Sequence, residues 1–165
     1  MGGIIKKIFL FLTLLTFISC SEDDENLPPD IPLNQLINAP DSINAEGSLI
    51  YLSTDIWRDF MPVSPPDGKP MIALIYITAK DTAKIPASIN TDAVWMVYNN
   101  EVWKSWYSNE LVAPGELKQN RIVKIVRNGP KWGTHAFIDV IVRVYDSRGN
   151  AQLLRASKQW ISRTD

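Results

Sequence analysis

Ala136-Phe137-Ile138-Asp139-Val140-Ile141-Val142-Arg143-Val144-Tyr145, then Asp146-Ser147-Arg148-Gly149-Asn150, then Ala151-Gln152-Leu153-Leu154-Arg155-Ala156-Ser157-Lys158-Gln159-Trp160-Ile161, is the stretch that decides the fold. A run rich in β-branched residues and a second, mixed run flank a polar turn. Gly149 suits the left-handed position of a three-residue loop with a bulge. Pairing Asp146 with Asn150 sets the register. Ile138, Val140, Val142 and Val144 then share one face with Leu154 and Ala156. Phe137, Asp139, Ile141, Arg143 and Tyr145 share the other face, against Gln159, Ser157, Arg155, Leu153 and Ala151. A β-branched stripe backed by a mixed one is a hairpin with one dry side.

The rest of the chain repeats this short-strand pattern. Ser48 to Thr54 alternates, with Leu49, Tyr51 and Ser53 opposite Ile50 and Leu52, and Trp57 to Met61 extends it. Met71 to Thr78 is almost wholly apolar, as in a central strand buried on both faces. Ala93–Tyr98 and Glu101–Tyr107 flank Asn99-Asn100. Asn tolerates positive φ, so this pair predicts a two-residue hairpin turn with Tyr98 opposite Glu101 and Met96 opposite Trp103. Trp95 then shares a face with Val97, Val102, Lys104 and Trp106, and Trp103 lies on the other. Arg121 to Arg127 is a further strand, stopped by Asn128-Gly129-Pro130. About seven strands, no amphipathic helix and eleven prolines predict an all-β, antiparallel sandwich over residues 36–165, with a small closed barrel as the alternative. The pattern, with Trp95 on an early strand, resembles an immunoglobulin-like or fibronectin-type domain. The resemblance implies a core position for Trp95. The cysteine pair of antibody domains is absent.

The N-terminal residues read as an address. Lys6 and Lys7 precede an apolar run from Ile8 to Ile18, the length of a signal-peptide core and too short for a membrane span. Ser19 is small, and Cys20, the single cysteine, follows it directly. Ser21, Glu22, Asp23, Asp24 and Glu25 come next. Residues 1–19 with Cys20 resemble a bacterial lipoprotein signal and its lipidated cysteine. The acidic run resembles the surface-export signal of Bacteroidota lipoproteins. The resemblance implies a lipid anchor on Cys20, with the protein held at the outer membrane and exposed at the cell surface. Two or more acyl chains anchor stably. Residues 20–35, rich in acids and prolines, are expected to form a spacer. Asp41-Ser42-Ile43 and Asp81-Thr82-Ala83 are similar to the O-glycosylation triplets of exported proteins from the same group.

Charge and residue supply exclude several chemistries. The chain holds 17 Lys+Arg and 18 Asp+Glu, and loss of Lys6 and Lys7 with the signal moves the net charge from −1 to about −3. That argues against nucleic acid as a partner. One histidine and one blocked cysteine cannot assemble a zinc site, and a nucleophilic triad would have to use His135, which is read as a loop histidine in contact with solvent. Asp81 with Asp92 lacks calcium-loop spacing. Asp139 is expected to pair with Arg143 or Arg155. No metal, cofactor or catalytic residue is expected, and the reading is a non-catalytic binding or accessory protein.

Six tryptophans remain to be explained: Trp57, Trp95, Trp103, Trp106, Trp132 and Trp160. A sandwich of this size needs one or two in its core. Trp103 and Trp132, with Trp106 and Tyr107, are the expected ligand-binding aromatics, because flat rings stack on sugars or peptides at little entropic cost. Polysaccharide capture is common among the lipoproteins that the N-terminus resembles, so glycans or glycoproteins are the first expected partners. The alternative is an adaptor or subunit of a cell-envelope complex, using Phe137, Ile141, Arg143 and Tyr145.

Overall fold

A computed structural model describes residues 27–80 and 84–165. Cys20, Ser21, Glu22, Asp23, Asp24 and Glu25 lie outside the described residues, as does the Asp81-Thr82-Ala83 triplet. The described chain is almost entirely β. One helical turn, α1 (Leu33–Ile37), precedes eight strands: β1 (Ser42–Ala45), β2 (Ser48–Asp59), β3 (Met71–Ala79), β4 (Asn90–Tyr98), β5 (Glu101–Trp106), β6 (Arg121–Gly129), β7 (Phe137–Tyr145) and β8 (Ala151–Thr164). All hydrogen-bond into one curled sheet in the order β5-β4-β7-β8-β2-β3-β6, with β1 added beside β2. The pairing is antiparallel except where the end of β8 runs parallel to the end of β2, Ile56 to Ile161 and Asp59 to Thr164. The two ends of the sheet nearly meet: Ser108, just past β5, donates its backbone N–H to Ile125 of β6 at 2.9 Å.

Local chemistry explains the hairpins. Asn99 and Asn100 take φ of 48° and 68°, the left-handed pair of a two-residue turn. Tyr98 therefore faces Glu101 and Met96 faces Trp103, as the sequence predicts. Gly149 takes φ 78° in the β7–β8 loop, and Asp146 stays beside Asn150. Register follows from there as far as Val140, which faces Ala156. Beyond it β8 carries a bulge at Lys158, φ 52°, whose N–H donates to the Asp139 carboxylate at 2.9 Å. Phe137 consequently faces Trp160 rather than Gln159. The bulge also lets one long strand serve β7 with its first half and β2 with its last residues. β1 escapes the sequence reading altogether. Its signal is Glu46-Gly47, φ 51° and 78°, a tight turn between two short alternating runs.

Apolar side chains collect on both faces of β4 and β7. The main core, inside the curl, takes Val94, Met96, Val140, Val142, Leu154, Ile56, Ile75 and Ile161 among others. A smaller cluster lies outside it: Leu36 and Ala39 close over Ala93, Trp95, Val97 and Ile141. The N-terminal segment therefore crosses the sheet as a strap. Asp30 pairs with Lys104 of β5 at 2.7 Å, Pro29 accepts the Trp95 indole N–H at 3.2 Å, and Pro40 accepts the Arg155 N–H of β8 at 2.9 Å. Part of the predicted spacer is thus packed structure, and the boundary drawn at residue 36 cuts through α1. Trp95 is fully buried, but beneath this strap rather than in the main core.

Candidate functional site

The hairpin β4–β5 places Trp103 opposite Met96, on the face that looks into the curl. Trp103 is partly buried against the main core. Trp132 is only 8 % exposed, which corrects the expectation of an open ring in a Gly/Pro loop. It folds back into the mouth of the curl, 5.4 Å from the Tyr98 ring, and its indole N–H donates to Glu101 at 3.1 Å. Tyr107 also turns inward. Its hydroxyl lies 2.9 Å from Thr91 Oγ1 and donates to the Ala93 carbonyl, and burial pushes the phenol pKa upward. Trp106 alone of the four is exposed, and it sits on the outer face. The four expected ligand-binding aromatics are divided between interior and exterior, and Trp103 and Trp106 lie on opposite faces of β5, as the hairpin register predicts.

The expected partner face is divided as well. Ile141 is sealed under the strap. Arg143 is held by Asp92 through Nη2 at 2.7 Å and Nε at 3.1 Å, and that pairing raises its pKa. Tyr145 donates to the same carboxylate at 3.1 Å. The guanidinium also lies 5.3 to 5.9 Å from the rings of Tyr145, Trp95 and Trp106, so its attractive partners are intramolecular. Asp139 stays within 4.0 Å of Arg155, one of its two expected partners. Phe137 stands apart, 59 % exposed.

Phe137 leads to a different site. Its ring lies 4.9 Å from Trp160, and exposed His135 lies 5.3 Å from the same indole. Trp160 is 44 % exposed. Along the parallel junction Trp57 faces Ser162, two residues beyond Trp160, so both indoles project from one side of the sheet. Together with Thr54, Asp55, Ile56, Ser162 and Thr164 they line an open trough of about 430 Å³, within the ~300–1,000 Å³ range of small-ligand sites. The lining is mixed, with two rings beside a row of oxygens. Asp55 accepts the Tyr76 hydroxyl at 2.9 Å. Burial first, and this bond second, push the Tyr76 phenol pKa upward, so the phenol keeps its proton.

Sequence reasoning missed the trough for two reasons. Trp160 faces Phe137 only because of the bulge at Lys158, and a lysine gives no warning of positive φ. The parallel junction of β2 and β8 joins residues a hundred positions apart, with no local signal. Among the described residues no three His, Cys, Asp or Glu side chains gather into a metal-ligating group. Comparison with protein-family models, curated proteins and solved structures gives no match.

Proposed function

We propose that the protein is a non-catalytic, surface-anchored binding protein that captures glycans in the Trp57–Trp160 trough. The observation that carries this is the pair of accessible indoles on one side of a trough bordered by hydroxyl and carboxylate oxygens. An indole kept in water exposes apolar area that a core position would bury. Sugar rings offer the complementary surface, one apolar face ringed by hydroxyls. The immunoglobulin-like reading of the fold belongs to the same proposal: β4, β5 and β7 form one layer, β1, β2, β3 and β6 the other, and β8 is shared. The parallel junction departs from the all-antiparallel form. For the adaptor reading, Ile141 is available only if the strap leaves.

Two expected results test the proposal. Trp57→Ala and Trp160→Ala should each weaken glycan capture by about 30-fold or more, as for aromatic hot spots worth about 2 kcal/mol. Both rings are partly exposed, so melting temperature should fall little. Trp132→Ala should do the reverse, costing about 3–5 kcal/mol of stability. Unchanged capture by both trough variants would remove this site. Anchoring is tested separately. Cys20→Ala should release the protein from the membrane fraction or leave its precursor unprocessed, and a variant retained at normal mature size would end the lipoprotein reading.

A further inference from the structure

The side chains of the trough differ in what they can donate. Thr54 Oγ1 donates to Gln159 Oε1 at 2.8 Å, Ser162 Oγ to the Ile56 carbonyl at 2.8 Å, and Thr164 Oγ1 to the Arg58 carbonyl at 3.4 Å. Each hydroxyl proton is therefore engaged inside the protein, which leaves the oxygens of Ser162 and Thr164, on the Trp57 side of the sheet, as acceptors, while Thr54 alternates with Asp55 and lies on the opposite face. Asp55 spends one carboxylate oxygen on Tyr76, and its other has no hydrogen-bond partner among the described residues. The indole N–H groups of Trp57 and Trp160 are the remaining donors of the lining. Among the described residues Asp55 forms no salt bridge; Arg121 lies over the Tyr76 ring at 4.6 Å and pairs with Glu116 at 3.8 Å. Arg163, on the neighbouring strand end, lies over the Phe60 ring at 3.9 Å and pairs with Asp165 at 2.6 Å. Lys69 pairs with Asp59 at 2.6 Å.

Resting on the glycan reading, we infer that the trough selects hydroxyl-rich glycans without negative charge, uncharged or amine-bearing, and that Asp55 sets the preference. A sugar hydroxyl or ammonium supplies the donors that the lining lacks. A uronate or sulfate would bring more acceptors, and a like charge, against Asp55. Hydrogen bonds to a charged acceptor are about twice as strong as neutral ones, so the carboxylate weighs more than any hydroxyl in the row.

The test is equilibrium binding of the full chain, at fixed ionic strength, to uncharged polysaccharides (a glucan, a mannan and a xylan), to chitosan and to polygalacturonate. At least one uncharged polymer or chitosan should bind, and polygalacturonate should bind at least about tenfold more weakly. Asp55→Asn keeps an acceptor for Tyr76 and should melt like the wild type. It should lose about tenfold for the preferred polymer and narrow the gap to polygalacturonate. Polygalacturonate bound as well as the best uncharged polymer, or an Asp55→Asn variant indistinguishable from the wild type, overturns the inference. Capture that still depends on Trp160 would in that case leave the trough standing as a glycan site. Binding to none of the polymers overturns the glycan reading and this inference together.

Discussion

Arg58→Ala should lower stability by about 3–5 kcal/mol, the scale for stripping one partner from a buried charged network. Arg58 is 4 % exposed and points into the curl. Its guanidinium donates to four backbone carbonyls: Lys69 at 3.1 Å, Lys131 at 3.2 Å, Trp132 at 2.9 Å, and Asp67. These belong to two loops at one mouth of the fold. No strand ladder satisfies these carbonyls; the bond to Trp132 is buried and the other three are part-buried, so without the arginine the Trp132 carbonyl above all would be left with no donor. The planar fork reaches all four; a lysine ammonium has three donors on a single atom, so Arg58→Lys should recover only a fraction. The same mouth depends on Gly68, φ 75°, where a Cβ would fall 2.5 Å from the Phe60 ring that stacks beneath Arg58. For a domain of this size the loss should appear as a fall in melting temperature of roughly 10 °C. A fall of only a degree or two would mean that water or the loops themselves satisfy those carbonyls.

A larger effect is expected one strand away. Val140→Asp should prevent folding. Val140 is fully buried between Met96 and Ala156, in a core made chiefly of aliphatic side chains. The desolvation cost of a carboxylate there rivals the whole stability of a domain, about 5–15 kcal/mol. The neighbouring change Asp139→Ala should cost only about 1 kcal/mol, since it removes one hydrogen bond to the Lys158 N–H and a 4.0 Å contact with Arg155 at the surface. Soluble yield and thermal melts of the two variants give the comparison. The opposite order of damage would place the inward stripe on Asp139 and Ile141, one residue out of register.

The same two residues mark how far the sequence carries the fold. Turn chemistry was decisive where φ had to be positive at Asn or Gly, so both hairpins and most of their register were legible from Asn99-Asn100 and Gly149. It was silent at Lys158, where a bulge held by Asp139 shifts Trp160 by one position. Whether Trp103 looks inward or outward was illegible for another reason. β4 is buried on both sides, Val94 and Met96 in the curl and Trp95 and Val97 under the strap, so a period of two cannot say which side is in. The strap itself was hidden because Leu33–Ile37 is a single helical turn, too short to show periodicity.

That strap also sets a length. On the proposed anchoring at Cys20, the seven residues from there to Leu27 could reach at most about 25 Å at ~3.3–3.6 Å per residue. Were residues 28–40 not docked, the span from Cys20 to Asp41 would be roughly 70 Å. The docking of Leu36 and Pro29 on Trp95 thus acts as the knot in a leash. On the proposed anchoring, it, rather than proline content, would set how far the trough can range from the bilayer.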